Sequence, residues 1–249
     1  MTRIAVVCLC TGDYWKGAKV LFHTLRKHGK LPEHVDCIAL GMPDCDFATP
    51  TAIEQDYSWV PVSQKNFPRV ADKFHALTLD YSRVILMDAD MLCMGDCSYL
   101  WGDRIGKLPF YAARDCASVV YYHQEIQAIG LDENLLFNAG TMVFQLDQLS
   151  QDFYDRVIEL ILDGTLKSYD GGDQGYLNHY FQLQDTEIGY LPQEYNGCTD
   201  QYIPQLPDHA KRLVHFTGAN LNPWSTTIPK SDRRRYLIDR WRAEWEECK

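Results

Sequence analysis

The sequence predicts an α/β domain: a mixed, mostly parallel sheet flanked by helices. Three observations carry this. Apolar runs of strand length recur at residues 4–9, 35–40 and 84–87. Apart from Asp36 they are apolar rather than alternating, which marks strands buried on both faces. Between them lie segments of helical spacing, such as 17–28, where Val20, Leu21, Thr24 and Leu25 share one face.

Residues 4–9 form the first strand, and Thr11-Gly12-Asp13-Tyr14 is turn chemistry leading into the helix at 17–28. Strand, tight polar turn and helix make a nucleotide-binding opening. It lacks both G-x-G-x-x-G and G-x-x-x-x-G-K-[ST], which excludes a dinucleotide fingerprint and a P-loop. The second strand, 35–40, is closed by Gly41-Met42-Pro43, residues 43–56 read as loop or weak helix, and 59–62 as a third strand. Residues 70–79 carry Val70, Phe74 and Leu77 at helical spacing and feed the central strand at 84–87.

Beyond it, 97–101 reads as a short helix and 110–113 as a strand running into Arg114-Asp115. Residues 119–122 are strand-like and 121–129 helix-like, so 116–136 stays open between the two. Residues 137–144 enter a strand through small residues, where a backbone must approach something closely. An amphipathic helix follows at 153–162, and Asp170-Gly171-Gly172-Asp173-Gln174-Gly175 opens another that runs to about 181. A late strand spans 213–216 and a terminal helix 231–247. On that helix Leu237, Trp241 and Trp245 form a stripe ringed by arginines, expected to pack on the domain rather than on a membrane. With no internal repeat, low-complexity segment or linker, residues 1–249 read as one domain.

The chemistry gathers after the central strand. Asp88 and Asp90 follow Met87 at i and i+2, where the strand leaves the sheet. Ligands of open α/β sheets bind outside the carboxyl ends of the strands. Side chains alternate along an extended segment, so a bend after Met87 is needed for both acids to serve one ion. Two hard oxygen donors suit Mg²⁺ or Mn²⁺, with substrate phosphates completing the shell.

Composition narrows the partners. Lys and Arg number 24 against 34 Asp and Glu, a net charge of −10, which argues against a nucleic-acid binder. An acidic protein handling a polyanion needs a local metal or lysine to offset repulsion. The nine cysteines are odd in number, lack C-x-x-C pairs and lie partly in apolar runs, so free buried thiols in a reducing compartment are expected. The first strand starts almost at Met1, and no stretch approaches eighteen apolar residues. Neither signal peptide nor membrane span is expected, which favours the cytosol.

Six separated motifs then resemble one family, in its order. They are the run from Leu9 through Thr11, Gly12 and Tyr14 to Ala18, Ala71-Asp72-Lys73-Phe74, Asp88-Ala89-Asp90, Phe137-Asn138-Ala139-Gly140, Asp170 to Gly175, and His215-Phe216-Thr217-Gly218 ending in Pro223-Trp224. They resemble the retaining glycosyltransferases of family 8, and within it the glycogenin-like and galactinol-synthase-like members. The resemblance covers nearly the whole chain to residue 224. It implies the GT-A fold, with a nucleotide-binding half to residue 100, a sugar- and acceptor-binding half over 101–224 and a terminal helix over 225–249. It also implies transfer of a hexose from a UDP-sugar to an acceptor hydroxyl, with Mn²⁺ or Mg²⁺ on the diphosphate, and admits a homodimer.

The roles carry over residue by residue. Leu9, Thr11, Gly12 and Tyr14 would hold the uridine, the tyrosine ring supplying a flat apolar face. Asp88, Ala89 and Asp90 would meet metal and ribose, and His215 would complete the protein ligands. An imidazole beside two carboxylates favours Mn²⁺ over Mg²⁺. Gly218 would touch the diphosphate through its backbone. Lys73, Asp115, Asn138, Ala139, Gly140, Asp170, Asp173 and Gln174 would surround the transferred sugar. The transition state is oxocarbenium-like, so an oxygen must lie near the anomeric carbon, and Asp173 or the Gln174 carbonyl would provide it.

Two positions depart from the family. Asn222 stands where a lysine precedes Pro-Trp, and Gly12 replaces an asparagine. Tyr202 lies near the acceptor tyrosine of glycogenin-like proteins, but with 15 tyrosines in the chain no self-glycosylation is expected. Beside the transferase stand two other classes, a nucleotide-sugar-binding protein with little turnover and a metal-dependent nucleotide-sugar hydrolase.

Overall fold

The computed structural model describes residues 3–41, 58–61, 69–115, 117–199, 206–217, 222–225 and 234–248. Its core is a seven-stranded sheet of β1 (Ile4–Cys10), β2 (Asp36–Gly41), β3 (Ser58–Pro61), β4 (Arg83–Met87), β6 (Phe110–Arg114), β7 (Phe137–Gln145) and β8 (Gly189–Leu191), in the order β3-β2-β1-β4-β7-β6-β8. Only β7 runs against its neighbours; every other pairing is parallel. The expected mixed, mostly parallel sheet is therefore present. The central strand β4 pairs parallel with β1 on one side and antiparallel with β7 on the other.

Alternation along the strands divides the core in two. Ile4, Val6, Cys8 and Cys10 face α1 (Tyr14–Lys27), whose Ala18, Leu21, Phe22 and Leu25 fill that side. Ala5 and Val7 face Phe74 and the helices α4 (Phe153–Leu162) and α5 (Asp173–Leu183) on the other. Both faces of the central strands are thus covered, which is why those runs are almost wholly apolar.

A second sheet of three short strands, β5 (Met91–Cys93), β10 (Leu213–His215) and β9 (Gly197–Cys198), lies in the order β5-β10-β9. β5, β8 and β9 have no counterpart among the elements expected from sequence, because two or three residues are too few for a period to show. The terminal helix α6 (Arg235–Cys248) buries Leu237, Ile238 and Trp241 with Val20, Leu92, Val214 and Phe216, as the tryptophan stripe predicts.

Three local expectations change. Residues Arg69–Thr78 wind as a 3₁₀ helix rather than an α-helix. Residues three apart eclipse there, so Lys73 stands above Ala76 and Phe74 above Leu77, with Lys73, Phe74 and Ala76 all buried. The ambiguous stretch is helical, α3 (Ser118–Ala128), with non-helical backbone at Tyr122. The first helix begins at Tyr14, three residues earlier than its apolar spacing suggests. All seven described cysteines are free and six are buried, in line with the thiol reading. Among the described residues no helix is long and apolar enough to cross a membrane.

Candidate active site

β4 ends at Met87 and β5 begins at Met91, so Asp88-Ala89-Asp90 is the bend between two sheets. That bend turns both acids to one side, as a shared ion requires. β10 lies antiparallel to β5 with His215 opposite Met91, and the Phe216 amide donates to the Asp90 carbonyl at 2.9 Å. A residue 125 positions downstream is thereby fixed beside the acids. His215 Nε2 stands 3.4 Å from Asp88 Oδ2 and 3.4 Å from Asp90 Oδ1. One ligand atom from each of Asp88, Asp90 and His215 lies within 4.8 Å of the others. Two carboxylates and an imidazole at this spacing fit a divalent ion of Mn²⁺ or Mg²⁺ type.

Behind them sits a buried lysine. Lys73 Nζ donates to Asp88 Oδ1 at 2.7 Å and to the Ala139 carbonyl at 3.0 Å, and pairs with Asp173 Oδ2 at 2.8 Å. Burial alone would discharge this ammonium; the Asp173 and Asp88 carboxylates outweigh it and hold the lysine charged above its ordinary range. Burial likewise works against the Asp88 carboxylate, but Lys73 and His215 keep it ionised well below the usual range. Asp173 goes the other way: burial, with Asp88 nearby, outweighs Lys73 and raises its carboxyl. His215 is drawn down by burial and held well above its usual value by its bonds to Asp88 and Asp90.

A cleft of about 380 Å³ opens over these groups, lined by Leu9, Thr11, Tyr14, Lys73, Asp88, Ala89, Asp90 and Asp173. Eight of the residues singled out in the sequence thus share one wall. A layer behind it holds others. β7 departs from β6 at a register break between Ala112 and Ala113, and this carries Asn138, Ala139 and Gly140 toward the bend. The Asp88 amide donates to the Gly140 carbonyl at 2.9 Å. Gly140 has to be glycine: a Cβ there would lie 2.3 Å from His215 Nδ1 and 2.7 Å from Asn196 Oδ1.

Gln174, in the first turn of α5, has its amide fully engaged. Its Oε1 accepts from the Ala139 amide at 2.9 Å, and the two hydrogens on its Nε2 are shared among Asp115 Oδ2, Ser118 Oγ and Tyr169 Oη, all within 3.0 Å. Asp115 also accepts from the Ala117 and Ser118 amides and so holds the start of α3. Asp170 lies off the cleft lining, with Oδ1 accepting from Ser168 Oγ and the Gly172 and Gly175 amides. It shapes the glycine loop before α5.

The two departures from the family acquire physical readings. Gly12 has φ +47°, a left-handed conformation that glycine and asparagine both tolerate, so the exchange leaves the turn possible. Asn222 hydrogen-bonds the Tyr14 side chain, while Trp224 packs edge-on against the Tyr14 ring at 5.1 Å. Asn222 is thus engaged with the side wall of the cleft. Gly218 and Tyr202 lie outside the described residues.

Four residues that carry this arrangement escape a reading of sequence: Asn196, Ser118, Tyr169 and Asn178. Asn196 is fully buried, its Oδ1 2.9 Å from His215 Nδ1 and its Nδ2 2.6 Å from Asn138 Oδ1. Asn178 holds both the Phe137 amide and carbonyl at 2.9 Å. A lone asparagine or serine in sequence is ordinary turn or helix-surface chemistry, so nothing local marks these out.

Comparison with known proteins bears on family and fold. The chain is 28% identical to mouse glycogenin-1 over 91% of its own length and 67% of that protein. It is 27% identical to the Neurospora crassa glycogenin over 96% of its length and 34% of that protein. The chain therefore spans between about a third and two thirds of these curated relatives. Among solved structures, the galactosyltransferase LgtC, crystallised with donor and acceptor sugar analogues, superposes with a TM-score of 0.71 at 16% identity, covering 98% of this chain and 95% of that one. The apo glycosyltransferase GlyE of Streptococcus pneumoniae follows with a TM-score of 0.68 at 18% identity, covering 99% and 63%. These likenesses show the GT-A fold. A sequence profile of glycosyl transferase family 8 matches residues 5–227, and the chain belongs to that family.

Proposed function

We propose that this glycosyltransferase moves a hexose from a UDP-sugar to an acceptor hydroxyl with retention at the anomeric carbon, using Mn²⁺ held by Asp88, Asp90 and His215. The observation that carries this reading is the meeting of those three ligands, from segments far apart in sequence, beneath a cleft also lined by Lys73, Asp173 and Tyr14. A bound divalent ion would supply the Lewis acidity that neutralises a departing diphosphate. Leu9, Thr11 and Tyr14 would receive the uracil, the phenol held by Asn222.

Of the two oxygens proposed for the anomeric carbon, the geometry favours Asp173. Its carboxylate lines the cleft beside Lys73, whereas both ends of the Gln174 amide are taken up by protein partners. Gln174 then acts as a brace joining β7, Asp115 and α3. Asn138 Oδ1 is occupied by Asn196 Nδ2 and the Gly140 amide, which leaves the Asn138 NH₂ to donate to a sugar hydroxyl.

The test is UDP release from a panel of UDP-hexoses, with and without Mn²⁺, with the anomeric configuration of the product read by NMR. Mn²⁺-dependent release from at least one donor is expected, falling ~10²-fold or more in Asp173→Asn. Acceptor-stimulated turnover separates a transferase from a hydrolase. Absence of Mn²⁺-dependent release from every donor would sink the reading.

A further inference from the structure

Three buried amides behind the cleft form a chain whose polarity is set at one end by the backbone. The Gly140 N–H can only donate, and at 2.9 Å it points at one side-chain terminus of Asn138. That terminus must therefore be the carbonyl oxygen Oδ1. The Asn196 atom 2.6 Å from the same oxygen must then be a donor, Nδ2. This turns Asn196 Oδ1 toward His215 Nδ1 at 2.9 Å, where an acceptor demands that Nδ1 carry a proton. With Nδ1 protonated, Nε2 is the imidazole nitrogen free to ligate, and Nε2 is the atom that faces Asp88 and Asp90. No step depends on an arbitrary amide flip, since the backbone donor decides each one in turn.

We infer that Asn196 is a positioning residue that selects the metal-binding face of His215 and, through the same amide, fixes the orientation of Asn138. Its burial is complete, so water cannot substitute for either bond. Gly140 closes the arrangement from the other side, since a side chain there would strike both His215 and Asn196. Nothing local in the sequence marks Asn196, and it lies on a short 3₁₀ turn, Gln193–Asn196, away from every recognisable motif. Its two bonds link the metal side of the cleft to the sugar side. One residue therefore serves two functions that can be separated by mutation.

The inference rests on the proposed metal and donor, and two substitutions test it. Asn196→Leu removes both bonds while keeping the same branching and number of side-chain heavy atoms. Asn196→Asp keeps an acceptor for the His215 Nδ1 proton and loses the donor to Asn138. Mn²⁺ affinity is measured by electron paramagnetic resonance without nucleotide, and folding by thermal melting without metal. Loss of a partner of this kind typically weakens metal affinity ~10–100-fold, which is expected for Asn196→Leu. Asn196→Asp should bind Mn²⁺ within about threefold of wild type but show a raised KM for the UDP-hexose, because Asn138 is released. Histidine ¹⁵N spectra with saturating Mg²⁺ should show Nδ1 protonated in wild type and Asn196→Asp. Unchanged Mn²⁺ affinity in folded Asn196→Leu would overturn the inference alone. If Asn196→Leu does not fold, Asn196→Asp decides: loss of Mn²⁺ binding in that variant overturns it. Wild-type protein that takes up no Mn²⁺ would instead remove the metal reading, and this inference with it.

Discussion

Among the described residues, two places bring a histidine, two acids and a lysine together. One is the cleft at Asp88, Asp90 and His215, with Lys73 behind it. The other is the seam between α1 and α6, where Glu244 and Glu247 meet His23, Lys27 and His28. By spacing of ligand atoms alone, both could hold an ion. They differ in what already neutralises the acids. At the seam Lys27 reaches Glu244 at 2.9 Å and Glu247 at 2.6 Å, and His28 takes the remaining Glu244 oxygen at 2.9 Å. Little negative charge is left for a metal. In the cleft Lys73 is shared between Asp88 and Asp173, and among the described residues no lysine pairs with Asp90. The acids there are undercompensated, and the histidine is held from behind by buried amides. A cluster becomes a credible ion site through charge surplus and a rigid second layer, not through ligand spacing.

The comparison breaks most sharply on metal binding. Asp90→Asn should abolish Mn²⁺-dependent turnover, by ~10³-fold or about 4 kcal/mol of barrier, while melting close to wild type. Glu247→Gln should leave both Mn²⁺ affinity and turnover unchanged. Calorimetric Mn²⁺ titration of the two variants reads this directly. A loss of affinity in Glu247→Gln, or none in Asp90→Asn, would reverse the ranking of the sites.

The lysines should differ almost as much. Lys73→Met removes the buried ammonium shared by the half-buried Asp88 and Asp173 carboxylates, and the cost should reach at most the ~3–5 kcal/mol of breaking a buried pair. Urea unfolding at pH 7 should show that loss, and the gap to wild type should narrow as pH falls and the carboxyls take up protons. Lys27 lies in the open, and Lys27→Met should leave the unfolding midpoint nearly unchanged. Equal costs for the two would mean that burial is not what distinguishes the clusters.

How much of this was legible in the sequence depends on whether the signal was local. β1, β2 and β4 announced themselves as apolar runs, and Asp88 and Asp90 by standing at the end of one. The chemistry-bearing residues from Leu9 to His215 fell into recognisable motifs. The antiparallel sense of β7 could not be read, because a strand buried on both faces looks the same in either direction. The 3₁₀ winding of Arg69–Thr78 was hidden, since Val70, Phe74 and Leu77 suit an α-helix equally well. Asn196, Ser118 and Tyr169 were illegible for another reason. Asn196 and Ser118 act through side-chain hydrogen bonds across long separations, such as the 58 residues between Asn196 and Asn138, and Tyr169 through its hydroxyl to Gln174 and Asn178; none leaves a periodic trace.

The seam makes its own prediction in pH. Burial disfavours the Glu244 carboxylate, but its bonds to His28 and Lys27 prevail and hold it below its ordinary range. A carboxyl lowered in the folded state stabilises above its unfolded value and loses that contribution as pH falls through the folded one. Glu244→Gln should therefore lower stability by about 1 kcal/mol at pH 7. That is a fall of ~3 °C in Tm for a chain of this size. The difference should begin to shrink as pH falls below the unfolded value of about 4.3 and be lost once pH has passed below the folded one. A difference that persists undiminished at pH 3 would assign the cost to lost packing rather than charge.

The smallest expected effect concerns Asn222, at the edge of the cleft. Its side chain bonds Tyr14, and its carbonyl accepts from the Ser225 amide at 2.8 Å, so the residue is held at both ends. Replacing it with lysine exchanges a neutral hydrogen bond for an ammonium able to reach further. The lost bond is worth about 0.5–1.5 kcal/mol, and a new bond to a charged phosphate oxygen about 1.5–3 kcal/mol. At mid-range values the gain exceeds the loss by about 1 kcal/mol, and Asn222→Lys should tighten UDP binding by roughly that when Mn²⁺ is saturating. Asn222→Ala isolates the other half, since it removes the Tyr14 bond and adds nothing; UDP affinity should fall by no more than about fivefold. Calorimetric titration of UDP into wild type and both variants gives the comparison. If Asn222→Ala loses affinity more than about tenfold, beyond what one neutral bond to Tyr14 can account for, Asn222 touches the nucleotide itself. Equal affinities for wild type and Asn222→Lys, with Asn222→Ala weaker, would mean that position 222 reaches Tyr14 but not the phosphates. The neutralisation of the leaving group would then fall to a divalent ion held by Asp88, Asp90 and His215.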